Sequence, residues 1–195
     1  DKYAYANSDA ITRELFLLFS DQSMLGFTDK TKESYETFGE LVDNEKVCIE
    51  DFPAFQTENI RWLIGRGSAW EDEDEILHVN HDRLFILRDL FDHEVICPYY
   101  YRKTKSIIDG LVYSGDLRYE STLFTIPEQA YINYVLNKSE FSNGLDLRNR
   151  YIHSTNSQDE TQNSQDYYRL LIIMAIIILK LNEELIRKFP SDEMA

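Results

Sequence analysis

Residues 170–179 read LLIIMAIIIL, ten apolar side chains without interruption. A helix through them is apolar on every face, whereas a helix at a protein surface carries an apolar stripe only. Something must therefore cover almost its whole circumference. A bilayer is excluded for this segment, because crossing one takes about 20 apolar residues, and Lys180, Asn182, Glu183 and Glu184 close the run. The cover is then protein. A bundle of about 90 residues rarely encloses one of its own helices, so a second copy of the chain or the N-terminal half is expected against this helix. A homodimer is the preferred account.

The rest of the composition is that of a globular chain. Its 195 residues suffice for one domain or two small ones, with 43% hydrophobic and 28% charged residues. Seven glycines and four prolines are too few for a sandwich of many short strands. A mainly α fold is expected. The charge balance, 20 − 35 = −15, rules out a protein that coats nucleic acid electrostatically, since that needs a basic stripe. Any RNA contact must use a local basic patch. Cys48 and Cys97 are too far apart in sequence for a zinc knuckle or redox pair. They read as two buried thiols in a reducing compartment, hence a cytoplasmic location. The chain opens at Asp1 with no charged-then-apolar leader and reads as part of a longer protein.

Along the chain, Ser8 and Asp9 cap a helix whose Ile11, Leu15, Leu18 and Phe19 share a face. A second helix is expected over residues 30–42, with Tyr35, Phe38, Leu41 and Val42 inward, and a third over 58–64, ending at Gly65 or Gly67. Residues 68–70 and 76–79 flank the acidic run 71–75, which reads as two short strands around a solvated turn. A helix over 82–91 follows, making a winged-helix-like unit. Beyond residue 99 the pattern is helical again, with Ile107, Ile108, Leu111 and Val112 in one stripe and Pro127 in a first turn. Residues 154–166 are thirteen polar side chains in a row and read as a loop before a long helix over 167–189. The expected architecture is an N-terminal helical region with a small β-hairpin, 1–95, and a helical bundle, 96–195.

Four histidines make a short acid–base inventory. His78 and His81 sit three apart where a strand meets a helix, beside Asp82, with His93 a helix-length later, and no second cluster completes four metal ligands. No P-loop, GxGxxG, GxSxG or HExxH occurs. What remains is residues 147–153, LRNRYIH. Asn149 and His153 are four apart and stack on one helical face. Arg148 and His153 are five apart, roughly 140° around a helix, and a long Arg side chain or fraying at His153 brings them together. A guanidinium and an imidazole suit a phosphodiester: the first neutralises charge on the phosphoryl oxygens, the second moves a proton. The competing reading is structural, with Arg148 in an ion pair to Asp146 or to a neighbouring helix.

Arg148-Asn149-x-x-x-His153, in a short segment before a long closing helix, resembles the signature of the HEPN superfamily (higher eukaryotes and prokaryotes nucleotide-binding domains). The resemblance implies a HEPN-like helical bundle in which two chains bring two such motifs to one cleft. It implies a metal-independent endoribonuclease, without cofactor, whose ribose 2′-hydroxyl attack leaves a 2′,3′-cyclic phosphate. His153 would be the general acid or base, Arg148 the phosphate binder, and Asn149 the residue orienting either. Arg150, with Arg102, Lys103 and Lys105, the only other basic cluster near the bundle, would contact RNA. Such enzymes serve as toxins or anti-phage effectors, often beside a regulatory or antitoxin protein. Some members carry an upstream acidic residue, for which Asp116, Glu120 and Glu128 stand as candidates. Members modified on a Tyr two residues after the His are not matched, because Thr155 stands there. The alternative is a HEPN-like module without catalysis that binds RNA, nucleotide or protein.

Overall fold

A computed structural model describes residues 2–31, 33–153 and 159–189. Mainly helical structure is what the sequence predicts, and the chain folds as two compact units, Asp1–Ser121 and Thr122–Ala195. The division thus falls well beyond residue 95. Residues 96–121, expected in the bundle, belong to the first unit because its N-terminal strand recruits them. That strand, β1 (Tyr3–Ala6), pairs antiparallel with β4 (Leu117–Glu120), Tyr3 opposite Glu120 and Ala6 opposite Leu117. Ala4 and Ile96 also exchange backbone hydrogen bonds of 2.9 Å in each direction.

Between these strands the first unit runs α1 (Asp9–Phe19), α2 (Phe38–Asn44), α3 (Ala54–Gly65), β2 (Ala69–Glu71), β3 (Leu77–Val79), α4 (His81–His93) and α5 (Lys105–Tyr113). The Ser8 hydroxyl caps α1 by accepting the Ile11 N–H. The inward residues foreseen for α1 are in the core, Ile11 and Leu18 completely, with Phe19 packed beside them. The hairpin also forms as expected, β2 against β3 with Ala69 opposite Val79. By contrast, α2 begins at Phe38 and not at residue 30. The Thr37 hydroxyl accepts the Glu40 N–H at 3.3 Å and supplies the cap there. Helix α3 begins earlier than expected, at Ala54 behind Pro53, and Thr57 lies inside it, its hydroxyl donating to the Ala54 carbonyl. Cys48 and Cys97 are free thiols, half-buried and not buried as expected.

A charged network joins four of these elements inside the first unit. Glu14 on α1 is fully buried. Arg66, just past α3, donates to it from Nε at 2.8 Å, and Arg83 on α4 from Nε at 2.9 Å and Nη2 at 3.1 Å. The Ser68 hydroxyl donates to the same carboxylate. Arg66 Nη2 reaches on to Asp116, before β4, at 2.8 Å, and the hydroxyls of Ser8 and Ser114 each donate to Asp116 at 2.8 Å. Buried charge is tolerated only when paired and hydrogen-bonded to this degree.

The second unit has three helices among its described residues: α6 (Ile126–Leu136), α7 (Leu147–Ile152) and α8 (Glu160–Lys188). Thr125 and Glu128 form a reciprocal capping box at the start of α6, with Pro127 in its first turn. Helix α8 starts at Glu160, with Asp159 as its cap accepting the Thr161 N–H at 2.9 Å. Residues 160–166, expected in a loop, are therefore helical; residues 154–158 lie outside the described ones. The core here is small: Val135, Leu147 and Ile173, with Tyr134, Leu136, Leu145 and Leu170 packed on it. Within 170–179 only Ile173 is buried, whereas Ile172, Met174, Ile178 and Leu179 are all roughly half exposed or more. No helix among the described residues is long and apolar enough to cross a membrane.

Candidate functional site

Helix α7 carries the Arg–Asn–His motif, and its placement follows from short-range chemistry. Asp146 takes a left-handed conformation, φ 55°, and turns the chain into the helix; its carbonyl accepts the Arg150 N–H at 3.1 Å. Just upstream, the Leu145 N–H donates to the Tyr134 carbonyl at 2.8 Å and straps the segment to α6. Gly144 is needed at this strap. A Cβ there would lie 2.8 Å from the Asn137 carbonyl oxygen and 3.0 Å from that of Phe141. Leu147 then enters the small core beside Ile173 of α8.

The polar anchor of α7 is Asp166, fully buried on α8. It pairs with Arg150 at 2.9 Å and with Arg169 at 3.0 Å. The Gln162 amide donates to it at 3.0 Å and the Tyr151 hydroxyl at 3.2 Å. Partial burial, with the Asp166 charge beside it, raises the Tyr151 hydroxyl above its ordinary pKa. Arg150, expected to contact RNA, is thus a structural cation. The ion pair to a neighbouring helix that the structural reading assigned to Arg148 is made instead by Arg150, two residues further on.

Arg148 is exposed and makes no ion pair or hydrogen bond with any described residue. His153 is exposed as well, at the C-terminal end of α7, where its N–H donates to the Asn149 carbonyl at 3.0 Å. The Asn149 side chain donates to Asp146 at 2.8 Å, so its amide nitrogen serves the turn and does not orient His153. Arg102, Lys103 and Lys105 sit in the first unit, apart in the chain from the motif. Arg102 lies over the Tyr99 ring at 4.5 Å and Lys105 pairs with Asp109 at 2.7 Å, while Lys103 is exposed. Of the acidic candidates, Asp116 belongs to the Glu14–Arg66 network and Glu120 pairs with Arg118. Glu128 caps α6 and pairs with Lys180 of α8 at 3.0 Å. Thr155 lies outside the described residues.

The other histidines are dispersed. His78 bonds to Asp72 at 2.8 Å and stacks on Trp70, while His81 and His93 face Asp43 and Asp89 at 3.5 and 4.0 Å. The Asp72 carboxyl is held below its usual range by the His78 hydrogen bond and by backbone N–H groups of Ile76 and Asp74, against the opposing effect of burial. No group of three or more His, Cys, Asp or Glu among the described residues is placed to hold a metal ion.

Asp166, Tyr151 and Arg169 are the site residues that sequence reasoning missed. Their signal was present: Gln162, Asp166 and Arg169 stand four and three apart, the spacing of neighbours on one helix face. Reading 154–166 as a loop hid it. Comparison with protein-family models, with curated proteins and with solved structures finds no match to this chain.

Proposed function

We propose that the chain is a metal-independent endoribonuclease of the HEPN type, acting as a homodimer on single-stranded RNA. One observation carries this reading. Buried Asp166 locks Arg150 inward, while Arg148 on the same six-residue helix and His153, the residue just past its end, stay in solvent with no described ion pair. A permanent guanidinium near the start of an anchored helix and an imidazole at its end supply the two functions that phosphodiester cleavage needs, charge neutralisation and proton transfer. The ribose 2′-oxygen bonds to phosphorus and the P–O5′ bond breaks. One proton leaves the 2′-hydroxyl and one reaches the departing 5′-oxygen, with His153 carrying the transfer. Arg148 balances the charge that builds on the non-bridging oxygens. The products are a 2′,3′-cyclic phosphate and a 5′-hydroxyl.

The exposed apolar side chains of α8, among them Ile178, Leu179, Leu185 and Ile186, support pairing of two copies through this helix. The N-terminal unit is read as a winged-helix-like scaffold, and the whole as a cytoplasmic toxin or anti-phage effector held in check by a regulatory protein. A second reading, an RNA- or protein-binding module without cleavage, is favoured by the Asn149 amide being engaged with Asp146.

The full chain incubated with single-stranded RNA in EDTA separates the two. Cleavage with cyclic-phosphate ends is expected, falling by about 10²–10⁴ in His153→Ala with the helical spectrum unchanged. Wild-type protein that binds RNA without EDTA-resistant cleavage establishes the binding module instead.

A further inference from the structure

The first unit holds a cavity of about 370 Å³, within the range of about 300–1,000 Å³ usual for small-molecule sites. Arg66 and Arg83 line it together with Asn80, Ser106, Gly110 and Asp116. Both guanidiniums are largely buried, with 21% and 12% of their side chains exposed. Their bonds to Glu14, Ser68 and Asp116 use Nε and Nη2 only. Neither Nη1 has a partner among the described residues, which leaves four N–H donors on two guanidinium planes.

The carboxylate lining this cavity, and the one behind its arginines, are already engaged. Both Glu14 oxygens receive guanidinium donors, and Asp116 receives Arg66, Ser8 and Ser114. Burial alone pushes the Asp116 carboxyl up, but the hydrogen bonds from Ser8, Ser114 and Arg66 outweigh it and hold it below its usual range. The site therefore has donors to spare and no unfilled carboxylate. Asn80, the N-cap of α4, adds the positive end of that helix to the wall. A ligand must bring acceptors. A planar carboxylate fits one guanidinium fork, whereas a tetrahedral phosphoryl group offers oxygens to two guanidiniums on separate elements.

We infer that this cavity binds a phosphoryl group, taken between the Nη1 groups of Arg66 and Arg83, as inorganic phosphate or as the phosphate ester of a small molecule. The site is independent of the Arg148–His153 motif, and its test does not use RNA cleavage. Gly110 provides the probe variant. It lines the cavity on α5, and a Cβ there meets no atom within 4 Å. Gly110→Trp directs an indole at this wall without removing any of the ion-paired side chains, and replaces a helix-destabilising glycine.

The experiment is calorimetric titration of the full chain with inorganic phosphate, adenosine monophosphate and acetate at low ionic strength. Saturable 1:1 binding of phosphate or the nucleotide is expected, weakened at least about tenfold, or 1.4 kcal/mol, in Gly110→Trp with unchanged circular dichroism. Tighter binding of the monophosphate identifies an ester as the ligand; equal binding identifies free phosphate. Three results overturn the inference: no saturable binding of either phosphate by the wild type, acetate binding as tightly as phosphate, or equal binding by wild type and a folded Gly110→Trp. Should that variant not fold, Ser106→Phe on the same wall replaces it with the same expected loss, and undiminished binding there overturns the inference equally.

Discussion

Asp166 decides which arginine of the motif segment is tied into the fold. Arg148 and Arg150 are indistinguishable in type and two positions apart, yet one carboxylate with two arginines, a tyrosine and a glutamine around it holds only the second. Asp166→Asn should cost about 3 kcal/mol, since it leaves two guanidiniums facing a neutral amide. Urea unfolding measures that loss. Faster amide exchange in α7 would localise it, and RNA cleavage should fall although Arg148 and His153 are untouched. Asp116 sets an acid limit on the first unit. Its folded pKa lies below the unfolded carboxylate value of about 3.9, so its contribution is complete above that pH and disappears as pH falls through the folded value. Unfolding free energy measured from pH 6 downward should drop in the acid range, and Asp116→Asn should flatten that drop while lowering stability at neutral pH.

Elements whose signals are short-range were readable in advance. The Ser8 cap, Pro127 in the first turn of α6 and the acidic hairpin all involve residues a few positions apart, and each is found in the structure. Elements that depend on distant partners were not. Strand β1 looks like any short apolar segment until β4 arrives more than a hundred residues later to pair with it. The start of α8 was obscured for a different reason: its first turns are polar because they meet water on most sides and α7 through the single charged face that carries Asp166. The strap between α6 and α7 yields a direct test. Gly144→Ala should destabilise the second unit by about 1–3 kcal/mol, as overpacking does, because its Cβ meets three backbone carbonyl oxygens. A thermal melt should show the loss.

For the molecule as a whole, the long helix raises the matter of what covers it. Ile178 and Leu185 are 61% and 55% exposed, and burying a side chain of this size is worth about 1.5–3 kcal/mol. Ile178→Glu with Leu185→Glu should therefore turn a dimer into a monomer by light scattering and abolish RNA cleavage together; a wild type that is monomeric at micromolar concentration removes the paired-motif reading. The helical class, the Ser8 cap and the Arg–Asn–His spacing follow from residues within a turn or two of one another, where chain connectivity already guarantees proximity, and the acidic balance follows from composition alone. The allegiance of residues 96–121, the choice of Arg150 over Arg148 as anchor, and the convergence of Glu14, Arg66, Arg83 and Asp116 around one cavity rest on contacts across helices and strands. Their partners meet only after the core has closed, because a buried charge selects its counter-ion from whatever the packing brings within hydrogen-bond reach.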